Sequence, residues 1–165
     1  MKRRISKIAL VAAIGFSSLT SAAWADFKCS NATLAGEYAF GVVSYTPAGE
    51  PNGPPSVAAG IKFFDGQGTL EQRDYRGDAL RTAGQTDFAP LGSETGTYTV
   101  NPDCTGSMTL KVAGGVLLEI RFVVSDGGRH IHEVVARLTP PGLPPQPVQT
   151  SADDWKVASE QDQQQ

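Results

Sequence analysis

The sequence predicts an all-β protein, an antiparallel up-and-down barrel of about eight strands with a proline-rich C-terminal tail. Short runs rich in Val, Ile, Thr, Phe and Tyr recur along the chain. Clusters of Gly, Pro, Asn and Asp separate these runs at regular intervals, as in turns between short strands. The pattern is typical of an antiparallel barrel or sandwich, and we expect the barrel.

The same pattern of apolar runs and turn clusters predicts the positions of the strands. A proline-rich segment, residues 140–147, cannot continue a ladder because proline has no amide donor. After it, Ser151-Ala152-Asp153-Asp154 resembles a helix-capping box, so a short helix is predicted near residues 151–159. A weaker eighth strand is predicted within residues 79–88. The main strands are predicted near residues 37–45, 57–64, 69–75, 96–100, 107–112, 116–125 and 129–138.

Strand register can be predicted by matching apolar partners on one face. At the turn of residues 126–128, the best match places Phe122 opposite His132 inside and Arg121 opposite Glu133 outside. Opposite charges on the outer face would add to this pairing. A slip of one residue would set Phe122 against Glu133, so the sequence favours the first register.

The turn of residues 65–68 gives a similar result. Matching places Phe63 opposite Leu70 inside and Lys62 opposite Glu71 outside. The second half of the chain then forms a continuous meander, with Tyr98 opposite Leu110. Its predicted inner face consists of Tyr98, Val100, Met108, Leu110, Val112, Val116, Leu118, Ile120, Phe122, Val124, Val134, Ala136 and Leu138.

The N-terminal segment has the order of a secretion signal. A cationic start, Met1-Lys2-Arg3-Arg4, precedes the apolar run of residues 8–16 and a small-residue segment ending in Ala23-Trp24-Ala25. The apolar run is under half of the roughly 20 residues that a membrane span needs. We therefore expect cleavage after residue 25, no membrane anchor after processing, and a periplasmic or secreted barrel domain of residues 26–138 followed by a tail of residues 139–165.

Compartment and charge exclude some functions. Removing residues 1–25 takes four of the fourteen basic residues and none of the seventeen acidic ones, which leaves a net charge of −7. Nucleic-acid binding is disfavoured because phosphate contacts need clustered Lys and Arg. Cys29 and Cys104 would enter an oxidising compartment, so a disulfide is predicted; two buried free thiols are the alternative.

Several polar side chains are predicted to face the barrel interior, which makes its mouth the candidate ligand site. Buried polar groups need partners, water or a ligand, and a barrel of about eight strands can hold one small molecule. A wetted rim with relaxed alternation is the alternative explanation. The predicted ligand-binding residues are His130, His132, Gln72, Asp74, Tyr98 and Phe122.

Chemistry has few candidates in this sequence. His130 and His132 project from one face of a strand, but zinc needs about three or four protein ligands and the chain has no third histidine. Asp74 would have to complete such a site, and we predict no metal and no cofactor. Gly-x-Ser-x-Gly, phosphate-loop and dinucleotide-binding patterns are absent from the sequence. His132 and Asp74 are the candidates for proton transfer.

Three segments resemble a group of small secreted bacterial proteins of unknown function. These segments are residues 29–40, residues 64–68 and residues 96–106, and the second and third include Phe64-Asp65-Gly66-Gln67-Gly68 and Gly96-Thr97-Tyr98-Thr99-Val100. The group is similar in architecture to the allene oxide cyclase and dirigent barrels of the lipocalin-like set. The resemblance implies an apolar cavity for small hydrophobic molecules, used for carriage or for cyclisation.

The sequence favours a binding protein for a small hydrophobic or amphipathic ligand, without catalysis. A cyclase- or isomerase-like enzyme that uses the same cavity is the first alternative. A surface or assembly protein that uses strand edges or Trp155 is the second alternative, and no protein partner is indicated.

Overall fold

The computed structural model of the chain describes residues 28–45, 56–77 and 87–157. Within these ranges, eight antiparallel strands close into a barrel in sequence order, and the first strand pairs with both the second and the last. This confirms the predicted all-β barrel. The strands are β1 (Gly36–Tyr45), β2 (Ser56–Phe64), β3 (Thr69–Arg76), β4 (Glu94–Val100), β5 (Thr105–Lys111), β6 (Leu117–Ser125), β7 (His130–Thr139) and β8 (Gln149–Lys156).

The eighth strand comes from the tail. The helix predicted near residues 151–159 is wrong where the structure describes it, because Gln149–Lys156 pairs with β1 on one side and β7 on the other. The barrel therefore continues past residue 138. The predicted strand at residues 79–88 falls mostly outside the described residues, as does the predicted signal peptide. The prolines precede β8 in a turn, where Leu138 and Gln146 exchange backbone hydrogen bonds.

The hairpin between β6 and β7 differs by one residue from the predicted register. Its turn takes in Arg129, whose amide donates to the Asp126 carbonyl, so Ser125 pairs with His130. Phe122 consequently lies opposite Glu133, the register that apolar matching had rejected. Glu133 is buried, whereas Val134 is exposed. A register shift between Glu119 and Ile120 adds a second residue to this offset, so that Leu118 lies opposite Leu138.

The hairpin between β2 and β3 is also offset by one residue. Asp65 accepts hydrogen bonds from the amides of Gln67, Gly68 and Thr69, which fixes a three-residue turn between Asp65 and Thr69. Phe64 therefore pairs with Leu70. Phe63 faces solvent, and Lys62, predicted to lie outside, is buried in the barrel.

The β4–β5 hairpin keeps the predicted faces but shifts by two residues. Tyr98 lies opposite Met108 rather than Leu110, and Leu110 lies opposite Leu118 on β6. Val134 and Ala136 leave the predicted inner face, and Val135 is buried in their place. Gly106 permits the close approach of β5 and β6, because a Cβ there would lie 2.1 Å from the Phe122 ring.

One end of the barrel is packed by a short 3-10 helix, Asn31–Leu34. Leu34 is fully buried against Tyr38, Phe64 and neighbouring core residues. Phe64 contacts Tyr38 and Tyr98 edge to face, with ring centroids 5.3 and 5.0 Å apart. This half of the interior is filled by side chains.

The predicted disulfide lies at this packed end and is confirmed. Cys29 and Cys104 are bonded, with their Cα atoms 5.0 Å apart and 75 residues apart in sequence. The Cys29 amide also donates to the Pro102 carbonyl. The bond thus ties the segment that enters β1 to the β4–β5 turn.

Replacing both cysteines with alanine should lower the thermal midpoint by several degrees or more, because removing a native disulfide from a small domain costs about 2–5 kcal/mol. Calorimetry of the double variant measures the loss. The unmodified protein, denatured without reductant, should show no free thiol with Ellman's reagent. Two titratable thiols would contradict the pairing.

A chain ending at Pro147 should fail to fold cooperatively, because it lacks β8 and leaves the edges of β1 and β7 unpaired. A chain ending at Val157 retains β8 and serves as the matched control. Calorimetry and size-exclusion chromatography compare the two. Equal stability would show that the tail is not part of the barrel.

Candidate functional site

A cavity of about 270 Å³ lies in the half of the barrel away from the disulfide. Small residues leave this volume open, among them Ser44, Ala58 and Ala152. Its walls are mainly apolar, with a few polar groups converging on them, as is common in small-molecule sites. The cavity is lined by Phe40, Val42, Ser44, Ala58, Lys62, Gln72, Asp74, Arg76, Leu110, Val112, Val116, Leu118, Ile120, Glu133, Val135, Leu138, Thr150 and Ala152.

A buried ion cluster forms one part of the cavity wall. The Lys62 ammonium lies 2.5 Å from Glu133 Oε2 and 2.9 Å from Asp154 Oδ2. Side-chain exposure is 3% or less for each of the three. Because Lys62 is on β2, Glu133 on β7 and Asp154 on β8, the cluster joins strands across the interior.

The charges of this cluster do not balance if both carboxyl groups are ionised. Burial raises the pKa of Glu133 to about 8, an effect that the nearby Lys62 ammonium only partly offsets. The pKa of Lys62 is raised, because the two carboxyl groups outweigh the opposite effect of its burial. A proton retained on Glu133 makes the cluster neutral overall.

A second buried polar cluster lies on β3 and β4. Glu94 accepts hydrogen bonds from Gln72 Nε2 at 2.8 Å, from the Ala113 amide at 3.0 Å and from Arg76. The Arg76 guanidinium also contacts Asp74, with Nε 3.0 Å from Oδ2. Burial is the main reason that the pKa of Glu94 is raised. These strands pair only from Thr69 to Gln72 on β3, and the polar side chains continue the wall beyond that point.

Some buried oxygen atoms have no hydrogen-bond partner among the described residues. They are Gln72 Oε1, Glu133 Oε1 and Asp154 Oδ1. Gln72 and Glu133 both line the cavity. An unsatisfied buried polar atom costs about 1–3 kcal/mol, so a hydrogen-bond donor placed in the cavity beside Gln72 Oε1 would remove this cost for that atom.

The predicted ligand-binding residues separate into three groups. Gln72 and Asp74 line the cavity, as does Ser44, whose hydroxyl lies 2.6 Å from that of Thr150. Tyr98 and Phe122 are buried in the packed core and do not line the cavity. The histidines lie elsewhere.

His130 and His132 project from the outer face of β7, on the opposite side from Ile131 and Glu133. Their predicted position inside the barrel is wrong, because it depended on pairing Phe122 with His132, whereas Phe122 pairs with Glu133. Both rings contact Asp153, with His130 Nε2 at 3.2 Å and His132 Nδ1 at 2.7 Å from its Oδ1. His132 therefore cannot transfer protons to a molecule in the cavity.

Sequence reasoning missed the charged residues of the interior, namely Lys62, Arg76, Glu94, Glu133 and Asp154. Apolar matching assigns charged residues to the outside, which is the usual distribution. A signal was present in the alternation of β2, where Gly60, Lys62 and Phe64 share one face. Matching Lys62 to an inward carboxylate on another strand could have selected the observed register.

Comparisons with known proteins do not add to this geometry. No family model matches the chain, and no curated protein matches it significantly. In the described part of the chain, no helix has the length and apolar character needed to cross a membrane. The site must therefore be interpreted from its own residues.

Glu133 should make the protein less stable as pH rises from about 4.5 to about 8. The folded protein keeps a proton on Glu133 over this range, whereas the unfolded chain loses it near pH 4.5. Glu133→Gln should flatten the fall in thermal midpoint across this window. Glu71→Gln, an exposed change on β3, is the control and should follow the unmodified protein. If the thermal midpoint fell equally with pH in the unmodified protein, Glu133→Gln and Glu71→Gln, the burial of Glu133 would be contradicted.

Proposed function

We propose that this chain is an exported protein that binds one small hydrophobic or amphipathic molecule in the barrel cavity, without chemistry. The single observation that carries the proposal is the open, mainly apolar volume of about 270 Å³ bordered by buried polar groups. A barrel built only for stability would be expected to fill such a space, because protein interiors are close-packed. The disulfide and the signal-like N-terminal segment support export to an oxidising compartment.

The polar atoms at the cavity indicate which end of a ligand they would receive. The cations Lys62 and Arg76 already contact carboxyl groups, so an anionic head would compete with existing ion pairs. Among the described residues that line the cavity, Gln72 Oε1 is an amide oxygen without a hydrogen-bond partner. This favours a compact apolar molecule with a hydroxyl or amine donor. The sequence resemblance to allene oxide cyclase and dirigent barrels implies an apolar cavity for small hydrophobic molecules, and it is a further argument for this proposal.

A cyclase or isomerase is the second candidate. Asp74 remains at the cavity as a polar group, and Glu133 adds a carboxyl group that the sequence analysis had not included. General acid–base chemistry would need these groups within hydrogen-bond reach of one bound molecule. Recovery of the co-purifying molecule separates the candidates: an unchanged ligand supports carriage, and a substrate–product pair supports catalysis.

The proposal is tested with N-phenyl-1-naphthylamine, an apolar probe that carries one N–H donor. We expect saturable fluorescence enhancement with one probe per chain. Ala58→Phe, which fills the cavity from β2, should weaken binding at least about tenfold, equal to about 1.4 kcal/mol. Ala59→Phe, on the next residue and facing solvent, is the matched control and should bind normally.

Circular dichroism must show that both phenylalanine variants fold, and Ala152→Leu provides a second cavity-filling change. Equal binding by the inward and outward variants would place the probe outside the cavity. Absence of probe binding to the unmodified protein, together with no co-purifying molecule by native mass spectrometry, would contradict the proposal.

A further inference from the structure

Four side chains form a square on the outer face of the barrel, separate from the cavity. In the pairing of β7 with β8, His130 lies opposite Trp155 and His132 lies opposite Asp153. Residues two apart on a strand project to the same side. The register therefore brings two imidazoles, one carboxylate and one indole together on this surface.

The donor atoms of three of these residues converge. His130 Nε2 and His132 Nδ1 lie 3.2 and 2.7 Å from the same oxygen, Asp153 Oδ1. One ligand atom from each residue lies within 4.8 Å of the others. Tetrahedral zinc with bonds of about 2.0–2.2 Å holds its ligand atoms about 3.3 Å apart, so small side-chain rotations would suffice.

Trp155 packs against one of these three side chains, His130. Its ring stacks on that of His130, with centroids 3.6 Å apart and planes inclined by 13°. This contact contributes to the burial of His130, although the residue is on the outer face. His132 and Asp153 have side chains that are 56% and 59% exposed, so an ion could enter and keep an open coordination position for water.

We propose that His130, His132 and Asp153 bind a divalent transition-metal ion, Zn²⁺ or Cu²⁺, on the outer face of the barrel. The sequence alone predicts no metal, because the third ligand that it offers beside the two histidines is Asp74. In the structure, Asp153 supplies the third ligand from β8, a segment for which the sequence predicts a helix. Two imidazoles and one carboxylate suit borderline cations rather than Ca²⁺ or Mg²⁺, which prefer all-oxygen sites.

A hydrogen-bonded triad without metal affinity is the competing explanation, since an Asp153 oxygen can accept from both imidazoles. Titration of the chelator-treated full protein with Zn²⁺ by isothermal calorimetry separates the two. We expect one ion per chain and a thermal midpoint that rises with Zn²⁺ concentration, because binding to the folded state stabilises it. No saturable binding and no thermal shift would overturn the proposal.

Substitutions locate the ion. Asp153→Asn and His132→Gln keep the size of each side chain but should weaken Zn²⁺ binding at least about tenfold, about 1.4 kcal/mol. Asp126→Asn is the control, because the Asp126 side chain is 64% exposed and lies outside the cluster. An unchanged Zn²⁺ affinity in either variant, provided that the variant folds, would overturn the assignment of the ion to this cluster. If Asp153→Asn does not fold, the result for His132→Gln decides alone.

Trp155 provides a second readout that does not depend on Zn²⁺ heats. Trp24 lies in the predicted signal peptide, so Trp155 is the one tryptophan of residues 26–165, and Cu²⁺ bound beside it should quench its fluorescence. We expect saturable quenching in the processed protein, with a Cu²⁺ affinity that His132→Gln weakens and Asp126→Asn leaves unchanged. Quenching of equal affinity in His132→Gln would place the copper ion away from this cluster.

Discussion

Lys62 lies inside the barrel, and its ammonium group sets the arrangement of the strands around it. Two carboxyl groups from β7 and β8 contact it at 2.5 and 2.9 Å. A slip of one residue in β2 or β7 would turn one partner outward and leave the others buried without compensation. Removing one partner from a buried ion pair costs about 3–5 kcal/mol, whereas an apolar replacement of the whole group is often neutral. The cluster therefore disfavours registers in which β2 or β7 is slipped by one residue.

The register gives the two halves of the barrel different roles. At the disulfide end, large residues such as Phe64 and Leu34 fill the interior. Beyond Lys62 the inward positions include Ala58, Ala152 and Ser44, which are too small to fill the space. The same register places His132 and Asp153 opposite each other on the outer face. Both proposed sites thus follow from one set of strand pairings.

Sequence reasoning predicted the strands from β1 to β7 within two residues and the disulfide, because turn residues and apolar runs are local signals. It failed where distant residues decide the outcome. Apolar matching favoured an outward Lys62 and Glu133, since their partnership across the interior could not be seen in either hairpin alone. β8 was missed because Gln149–Lys156 is mostly polar. Its inward Asp154 is compensated by the Lys62 ammonium on β2, a contact that the local pattern of β8 does not reveal. Gln72 and Asp74 were identified, whereas the histidines were assigned to the wrong face.

The burial of Lys62 can be measured directly by acetylating the native protein with a water-soluble reagent and mapping the modified lysines by mass spectrometry. Lys28, Lys111 and Lys156 are exposed and provide internal references. Lys62 is 2% exposed, so it should react far more slowly than these three in the folded protein and at a similar rate after denaturation. Equal reactivity of Lys62 and the exposed lysines in the folded protein would contradict the interior ion cluster and the register built on it.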